Sequence, residues 1–422
     1  MMRRRWLFRM VCLACIWALA ACTKRSPTPD DAVTALPARG TPTASSLPKR
    51  TFEALWSAVN ENYLDEEFGG IDWQAIHEQY AAKVETGLNA DEFAATMRAM
   101  LAELPEEAAV LQTRAERLEA QSVDRARFEG IGAFVAYRPR PEPHVVLLAV
   151  MPDSPAKTAG LGAHDSILAI GGQPVTAEEG QAVVQRIRGP AGSDVTLRVK
   201  SPGRAPRDVV VTRGSITASD ALTGGALGDG TIGYLLFPAA APGGLADDVV
   251  RAVQALNSPR KLRGLILDLR ISTAGGAWPL SEVMTLFADG ELGEVFTRES
   301  VAPIAVAGQD ISDTQTLPLA IIVGPDTQGA PEIFAAAMQS IGRASIVGMP
   351  TPGAVEVVEE FPLPDGSRAF IVTGSYRTPQ GRDVGREGVE PDVKVDLDWD
   401  EVSQADDAVR AAAARALRLS SP

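Results

Sequence analysis

The stretch that most constrains this chain is residues 318–353, LPLAIIVGPDTQGAPEIFAAAMQSIGRASIVGMPTPG. Residues 319–323 form a short apolar run bounded by Pro318 and Gly324-Pro325, the signature of a buried strand. Residues 324–331 supply turn chemistry in Gly, Pro, Asp, Gly and Pro. From Glu332 onward, Ile333, Phe334, Ala337, Met338 and Ile341 recur at helical spacing, and the pattern stops at Gly342-Arg343. A buried strand running through a tight loop into a helix N-terminus places free backbone N–H groups where they can stabilise an oxyanion, which makes it a good seat for a nucleophile.

The same logic extends upstream. Residues 231–237 (TIGYLLF) and 264–269 (GLILDL) read as strands on either side of a helix over 246–256, a spacing that argues for a parallel βαβ unit. Downstream, residues 361–372 read as a hairpin over Pro364-Asp365-Gly366, and 400–419 as an Ala-rich helix with its arginines toward the end, where the dipole favours them. Gly224, Gly225, Gly228 and Gly230 lie in a glycine-rich stretch, 214–230, that reads as loop; no Lys-Ser/Thr follows to make a phosphate cradle.

These residues resemble the C-terminal processing (tail-specific) serine peptidases of the S41 family. Val323, Glu332-Ile333, Gly342-Arg343, Val347-Gly348, Thr351, Gly353 and the run 362–366 fix the register. Leu267-Asp268-Leu269-Arg270 followed by Gly275-Gly276 is similar to the family's LDLRNNPGG, and the segments 376–382 and 387–393 follow its tail. The resemblance implies a Ser nucleophile in a GSASASEI-like loop, a Lys general base in a TFGKG-like segment and a Gln four residues on. Here those positions hold Gly329, Ala354 and Val358. The backbone at Gly275, Gly276 and Ala330 falls at the implied oxyanion position, while Asp268 and Arg270 read as structural hydrogen-bonding residues. The expectation is a peptidase fold that has lost its peptidase chemistry, so whether it is an enzyme stays uncertain, with inactivity predicted. The alternatives are an active serine endopeptidase with divergent catalytic residues and a structural component of an envelope complex. Thr327, Ser340 and Ser345 lack a base nearby in sequence and are poor substitutes for a nucleophile.

Residues 128–213 resemble a PDZ domain, through 129–134 (EGIGAF), 153–156 (DSPA), 159–161 (AGL), 165–172 (DSILAIGG) and 188–192 (RGPAG). The implied function is capture of a protein C-terminus by β-augmentation. Gly130 and Gly132 let N–H groups converge on the terminal carboxylate; Ile131, Ala133 and Phe134 supply edge strand and pocket, with a helix near 179–187 as the opposite wall.

The N-terminal 22 residues carry a basic region (Arg3, Arg4, Arg5, Arg9), an apolar stretch and the small-residue site Leu19-Ala20-Ala21-Cys22, with cleavage expected after residue 21. The apolar run is too short for a permanent span and resembles a bacterial lipoprotein signal, with Cys22 lipidated; an ordinary secretory signal is the alternative. The expected location is the bacterial envelope, anchored by lipid to the outer membrane and facing the periplasm. Cleavage takes the formal charge from −14 to −18, since it removes four arginines and no acid. That argues against nucleic acid as a partner and leaves the lipid anchor as the membrane contact. All three cysteines lie in this leader, so the remainder holds no disulfide and no thiol nucleophile. His77, His144 and His164 are scattered and read as surface or turn residues; no metal and no cofactor is expected.

The expected class is multidomain α/β and α+β. A flexible tether occupies 22–50, a helical domain 51–127, the PDZ-like β domain 128–213, an S41-type βαβ core 214–400 and a C-terminal helix 401–422. In the helical domain, Phe52, Leu55, Trp56, Val59 and Tyr63 form one apolar stripe, Trp73, Ile76, Tyr80 and Val84 a second, and Asn89 with Glu92 a capping box for a third helix; 106–127 reads as a further charged helix. Packing on the rest of the chain is the expected use of these stripes. Partners are protein C-terminal tails; a homo-oligomer or a partner protease is left open.

Overall fold

The computed structural model describes residues 46–105, 108–118, 128–216, 221–273 and 278–419. Cys22, the leader and residues 23–45 of the expected tether lie outside the described residues, as do Gly275 and Gly276; residues 47–50 of that tether are instead the first turn of the helix Leu47–Asn62, which opens on Leu47 and Pro48.

The core is a six-stranded sheet in which Ile232–Leu236, Gly264–Asp268, Leu319–Val323, Ser345–Gly348 and Val393–Lys394 run parallel in that order. The strand–helix–strand reading holds, with the helix at Leu245–Asn257. All five residues of Gly264–Asp268 and of Leu319–Val323 are buried, because helices cover both faces. Leu245–Asn257, Leu280–Phe287 and Ala330–Ser340 close one face. Ala408–Leu419 closes the other, laying Val409, Ala412, Ala413, Ala416 and Leu417 on Ile266, Ala320, Ile322 and Val347. Each fully buried aliphatic side chain contributes about 1.5–3 kcal/mol, so the central strands are the rigid base from which the loops project.

The loop expected over 214–230 is instead strand at both ends. Gly214–Ile216 pairs with Phe128–Gly130, and Thr223–Leu227 pairs antiparallel with Ile232–Leu236. Glycine is required at 224 for close approach: a Cβ there would lie 2.2 Å from the Tyr234 carbonyl oxygen.

A second, antiparallel sheet contains the expected hairpin, Val357–Pro362 with Arg368–Arg377, together with Gly290–Thr297 and Val301–Val306. It also contains Ala109–Gln112, inside the segment expected to be a charged helix. Ala108 and Leu111 are buried there beside Ala369 and Ile371, and pairing with a preformed strand edge outweighs local helix propensity. The N-terminal helices Leu47–Asn62, Trp73–Val84 and Ala90–Leu101 pack on this sheet, with Phe52, Leu55, Val59, Met97 and Met100 against Leu363, Ala369 and Ile371. The capping box of Asn89 and Glu92 is present as read. No helix among the described residues is long and apolar enough to cross a membrane.

The third unit is a sheet ordered Ala133–Arg138, His144–Val150, Ser166–Ile170, Asp194–Lys200 and Arg207–Thr212. The expected groove helix is a 3₁₀ helix, Gly180–Arg186. The C-terminal helix begins at Ala408 rather than near Asp400; residues 398–401 instead make a capped turn against the third unit.

Candidate functional site

The strand Leu319–Val323 delivers the chain to a loop at its carboxyl end, the edge where open α/β sheets place their ligands. Thr327 is completely buried in this loop, where its Oγ1 donates to the Leu269 carbonyl at 2.9 Å and accepts the Gly324 N–H at 3.0 Å. Both hydrogen-bonding roles serve loop shape, which removes Thr327 as a nucleophile. The Gln328 N–H donates to the Ser272 carbonyl at 3.2 Å, pinning the loop to the turn after Gly264–Asp268.

Gly329 caps the helix Ala330–Ser340 with φ 68° and ψ −130°, a conformation that L side chains rarely adopt. Its N–H donates to the Ala354 carbonyl at 2.8 Å. The two positions where a nucleophile and its base were expected are therefore joined directly through the backbone, one with no side chain and the other with a methyl group. Val358 does not join them: it lies on Val357–Pro362 with 53% of its surface exposed. Ala330 opens the helix, where N–H groups have no intrahelical acceptor. Ser340 ends that helix and Ser345 opens the next strand.

Glu332 holds the frame together. Its Oε1 accepts from the Thr351 hydroxyl and, at 2.6 Å, from the Gly353 N–H. Thr351 Oγ1 in turn accepts the Val389 N–H at 2.8 Å. Burial pushes the Glu332 carboxyl up to about 7, against the pull of Thr351 and of the Gly353 and Ala354 N–H groups. Gly353, at φ 85°, is needed for close approach, since a Cβ would come within 2.9 Å of the Val384 and Gly385 carbonyls. Asp268 and Arg270 are structural, as read. The Arg270 guanidinium is buried between Asp268 and Asp407, each 2.6 Å away, and Tyr234 donates to Asp268 at 2.8 Å.

The sequence reading missed how the third unit is fixed to this loop. Arg138, at the end of Ala133–Arg138, is 8% exposed and forks onto two acids. It binds Asp326, three residues before Gly329, through both Nη atoms, and Asp398 through Nε at 2.5 Å and Nη2 at 3.1 Å. Burial pushes the Asp326 carboxyl up despite Arg138. Two of the histidines read as surface or turn residues are buried in the same seam. His144 Nε2 lies 2.9 Å from Asp400, which also accepts from Ser166 at 2.5 Å. His164 stacks on Trp399 with ring centroids 4.0 Å apart, and its Nδ1 is 2.7 Å from the Trp399 carbonyl. Trp399 explains their burial: its indole donates to the Leu147 carbonyl at 3.2 Å, drawing the turn 398–401 onto the sheet.

On the opposite side of that unit is the expected carboxylate loop. Gly132 has φ 75°, and a Cβ there would sit 2.4 Å from Ser154 Cβ. The carbonyls of Ile131 and Gly132 accept from Ala156 at 2.8 Å and Met151 at 3.0 Å, which turns the loop. The N–H groups of Ile131 and Gly132 have no acceptor among the described residues. Gly130 pairs with Gly214 behind them, and the Ile131 side chain packs with Val183 and Ile187. Ala133 starts the edge strand, facing the same core as Val135 and Tyr137. Phe134 belongs to the strand but not to the pocket. Alternation sends its side chain to the other face, with Ala136, Leu148, Ala239, Ile271 and Trp399. Among the described residues, no group of three or more His, Cys, Asp or Glu side chains could hold a metal ion.

Profiles of three families match the chain: Peptidase family S41 over residues 231–395, the Tricorn protease C1 domain over 48–102 and a PDZ domain over 146–201. The carboxyl-terminal-processing protease of Picosynechococcus sp. is 30% identical over 348 residues, which cover 80% of this chain and 80% of that protein. The chain belongs to the carboxyl-terminal-processing protease family. The chloroplastic carboxyl-terminal-processing peptidase 3 of Arabidopsis thaliana is 27% identical, over 82% of this chain and 68% of its own length. A solved photosystem II D1 C-terminal processing protease shares the fold, with TM-score 0.64 and 24% identity, over 85% of this chain and 95% of that one. In the family's terms, the βαβ core is the S41 domain and the third unit its PDZ domain.

Proposed function

We propose that this family member holds protein C-terminal tails in its PDZ domain and does not cut them, serving as an adaptor or regulator on the envelope. The observation that carries the reading is the 2.8 Å hydrogen bond from the Gly329 N–H to the Ala354 carbonyl. It places together two residues that offer neither a nucleophile nor a proton acceptor in their side chains. Losing the nucleophile costs orders of magnitude in rate, and losing its base as well leaves only binding and oxyanion effects. The carboxylate loop supports the binding half: among the described residues the N–H groups of Ile131 and Gly132 have no acceptor, and the Ile131 side chain packs with Val183 and Ile187 beside them. The leader ending at Cys22 supports a lipid anchor in the outer membrane facing the periplasm.

The test is a binding and cleavage assay with labelled tail peptides, run on the full chain and on a Gly329→Ser/Ala354→Lys double variant. Binding without cleavage by the parent, with weak cleavage gained by the variant, is the expected result. Because Gly329 has a strained conformation for serine, the parent is also treated with a serine-reactive fluorophosphonate. Cleavage by the parent, or a labelled Ser or Thr in residues 214–400, overturns the inactive reading.

A further inference from the structure

The strand Ala133–Arg138 lies at the end of its sheet, so its outer edge presents N–H and C=O groups that no neighbouring strand among the described residues takes. The direction of that edge is fixed by one contact: the Tyr137 N–H donates to Gln181 Oε1 at 3.2 Å, across the groove to the 3₁₀ helix Gly180–Arg186. Backbone groups two residues apart point the same way, so Val135 and Ala133 also face outward. The pairing irregularity here does not disturb this alternation. Phe134 pairs with Ala149 and Val135 with Leu147, which puts the extra residue, Leu148, on the neighbouring strand. Among the described residues, the edge therefore offers, from the carboxylate loop onward, two outward positions without a partner, Ala133 and Val135, and a third that is already occupied.

We propose that Gln181 sets the length of tail the groove reads. This rests on the tail-binding reading above and adds to it. A tail that joins as an extra strand pairs through alternate residues. Its last residue lies beside Ala133, with the side chain toward Ile131, Val183 and Ile187, and its third-from-last lies beside Val135. The fifth-from-last would need the Tyr137 N–H, which Gln181 holds. The ligand class is a short C-terminal segment of about four residues, with no backbone contribution from residues further upstream. Gln181 is itself exposed, so it caps the edge without being part of the packed core.

The experiment is fluorescence anisotropy with N-terminally labelled peptides of three, four, six and eight residues ending in the same leucine. They are titrated into the full-length parent, Gln181→Ala and Gln181→Glu. The parent's affinity is expected to level off at about four residues. Gln181→Ala frees one amide and gains about fivefold between four and six residues, the worth of one neutral hydrogen bond. Gln181→Glu keeps an acceptor and keeps the parent's plateau. A parent affinity that climbs fivefold or more beyond four residues overturns the proposal while leaving tail binding intact, as does an unchanged length profile in Gln181→Ala. No binding by any of the three proteins overturns the tail-binding reading and this proposal together.

Discussion

Replacing Glu332 with Gln should remove a specific share of the protein's pH-dependent stability. The carboxyl is fully buried, and its value moves from an ordinary 4.5 to about 7 on folding. The folded state therefore binds this proton more tightly than the unfolded chain does. The resulting stability is complete below about pH 4.5 and is lost as pH rises through about 7. Fully developed, the difference is worth about 3 kcal/mol. The assay is urea unfolding of parent and Glu332→Gln at several pH values between 5 and 8.5. Other titrating groups contribute equally to both proteins, so the difference between the two curves isolates Glu332. The parent should lose about 3 kcal/mol relative to the variant across that range. Parallel curves would refute the assignment of a neutral, loop-holding carboxyl at low pH.

Arg138→Ala leaves the buried Asp326 and the half-buried Asp398 without their cation and should cost about 3–5 kcal/mol. Hydrogen exchange should quicken in Ala133–Arg138 and His144–Val150 but not in Leu319–Val323; uniform protection would contradict the seam. Gly132→Ala forces a Cβ against Ser154 from a positive φ, so it should cost about 1–3 kcal/mol and abolish tail binding. Gly243→Ala, in open space, should change stability by less than about 0.5 kcal/mol. Burial, reinforced by Arg270 and opposed by Asp407, Asp268 and the Trp399 carbonyl, holds His164 below its ordinary 6.5, so its contribution to the seam is lost as pH falls below that value. His144 has the opposite sign: Asp400 and the Glu142 carbonyl outweigh burial, and its contribution disappears as pH rises through its raised value. The difference between parent and His164→Phe, which keeps an aromatic ring on Trp399, should therefore diminish between pH 7.5 and 5.5; a constant difference would count against a neutral His164.

What the sequence revealed depended on how local the signal was. Leu319–Val323 and Ala330–Ser340 were legible because five consecutive apolar residues and a helical stripe are bounded by Pro and Gly. The capping box at Asn89 was legible because its two partners are three residues apart. Ala109–Gln112 was not, because a four-residue strand flanked by charges becomes a strand only when Arg368–Ile371 is beside it. The seam was least legible of all. Arg138 meets Asp326 across 188 residues and Asp398 across 260, and no spacing rule links them. The signal that could have raised the question was the pair of acids, Asp398 and Asp400, flanking Trp399 at the boundary of the stretch read as helix, where they serve as cap and ion-pair partners.

The residues that frame the loop before Gly329 are fixed by buried polar partners and by close approach. Thr327, Glu332 and Thr351 each satisfy a buried polar partner, so removing any of them leaves a donor or acceptor stranded at a cost of about 1–3 kcal/mol. Gly353 is fixed by the two carbonyls its Cβ would strike. A nucleophile and its base stand under no comparable constraint. Their polar atoms face the substrate, and at Gly329 a side chain adds strain that glycine relieves. Under the non-cutting role proposed above, stability preserves the frame and places no demand on the reactive groups. The PDZ domain is held to that frame by Arg138, on the same strand whose outer edge forms the proposed groove. Under the proposed role, a tail docked on that edge is tied through Arg138 to Asp326, in the loop before Gly329, and to Asp398, so that loop acts as a support for the PDZ domain.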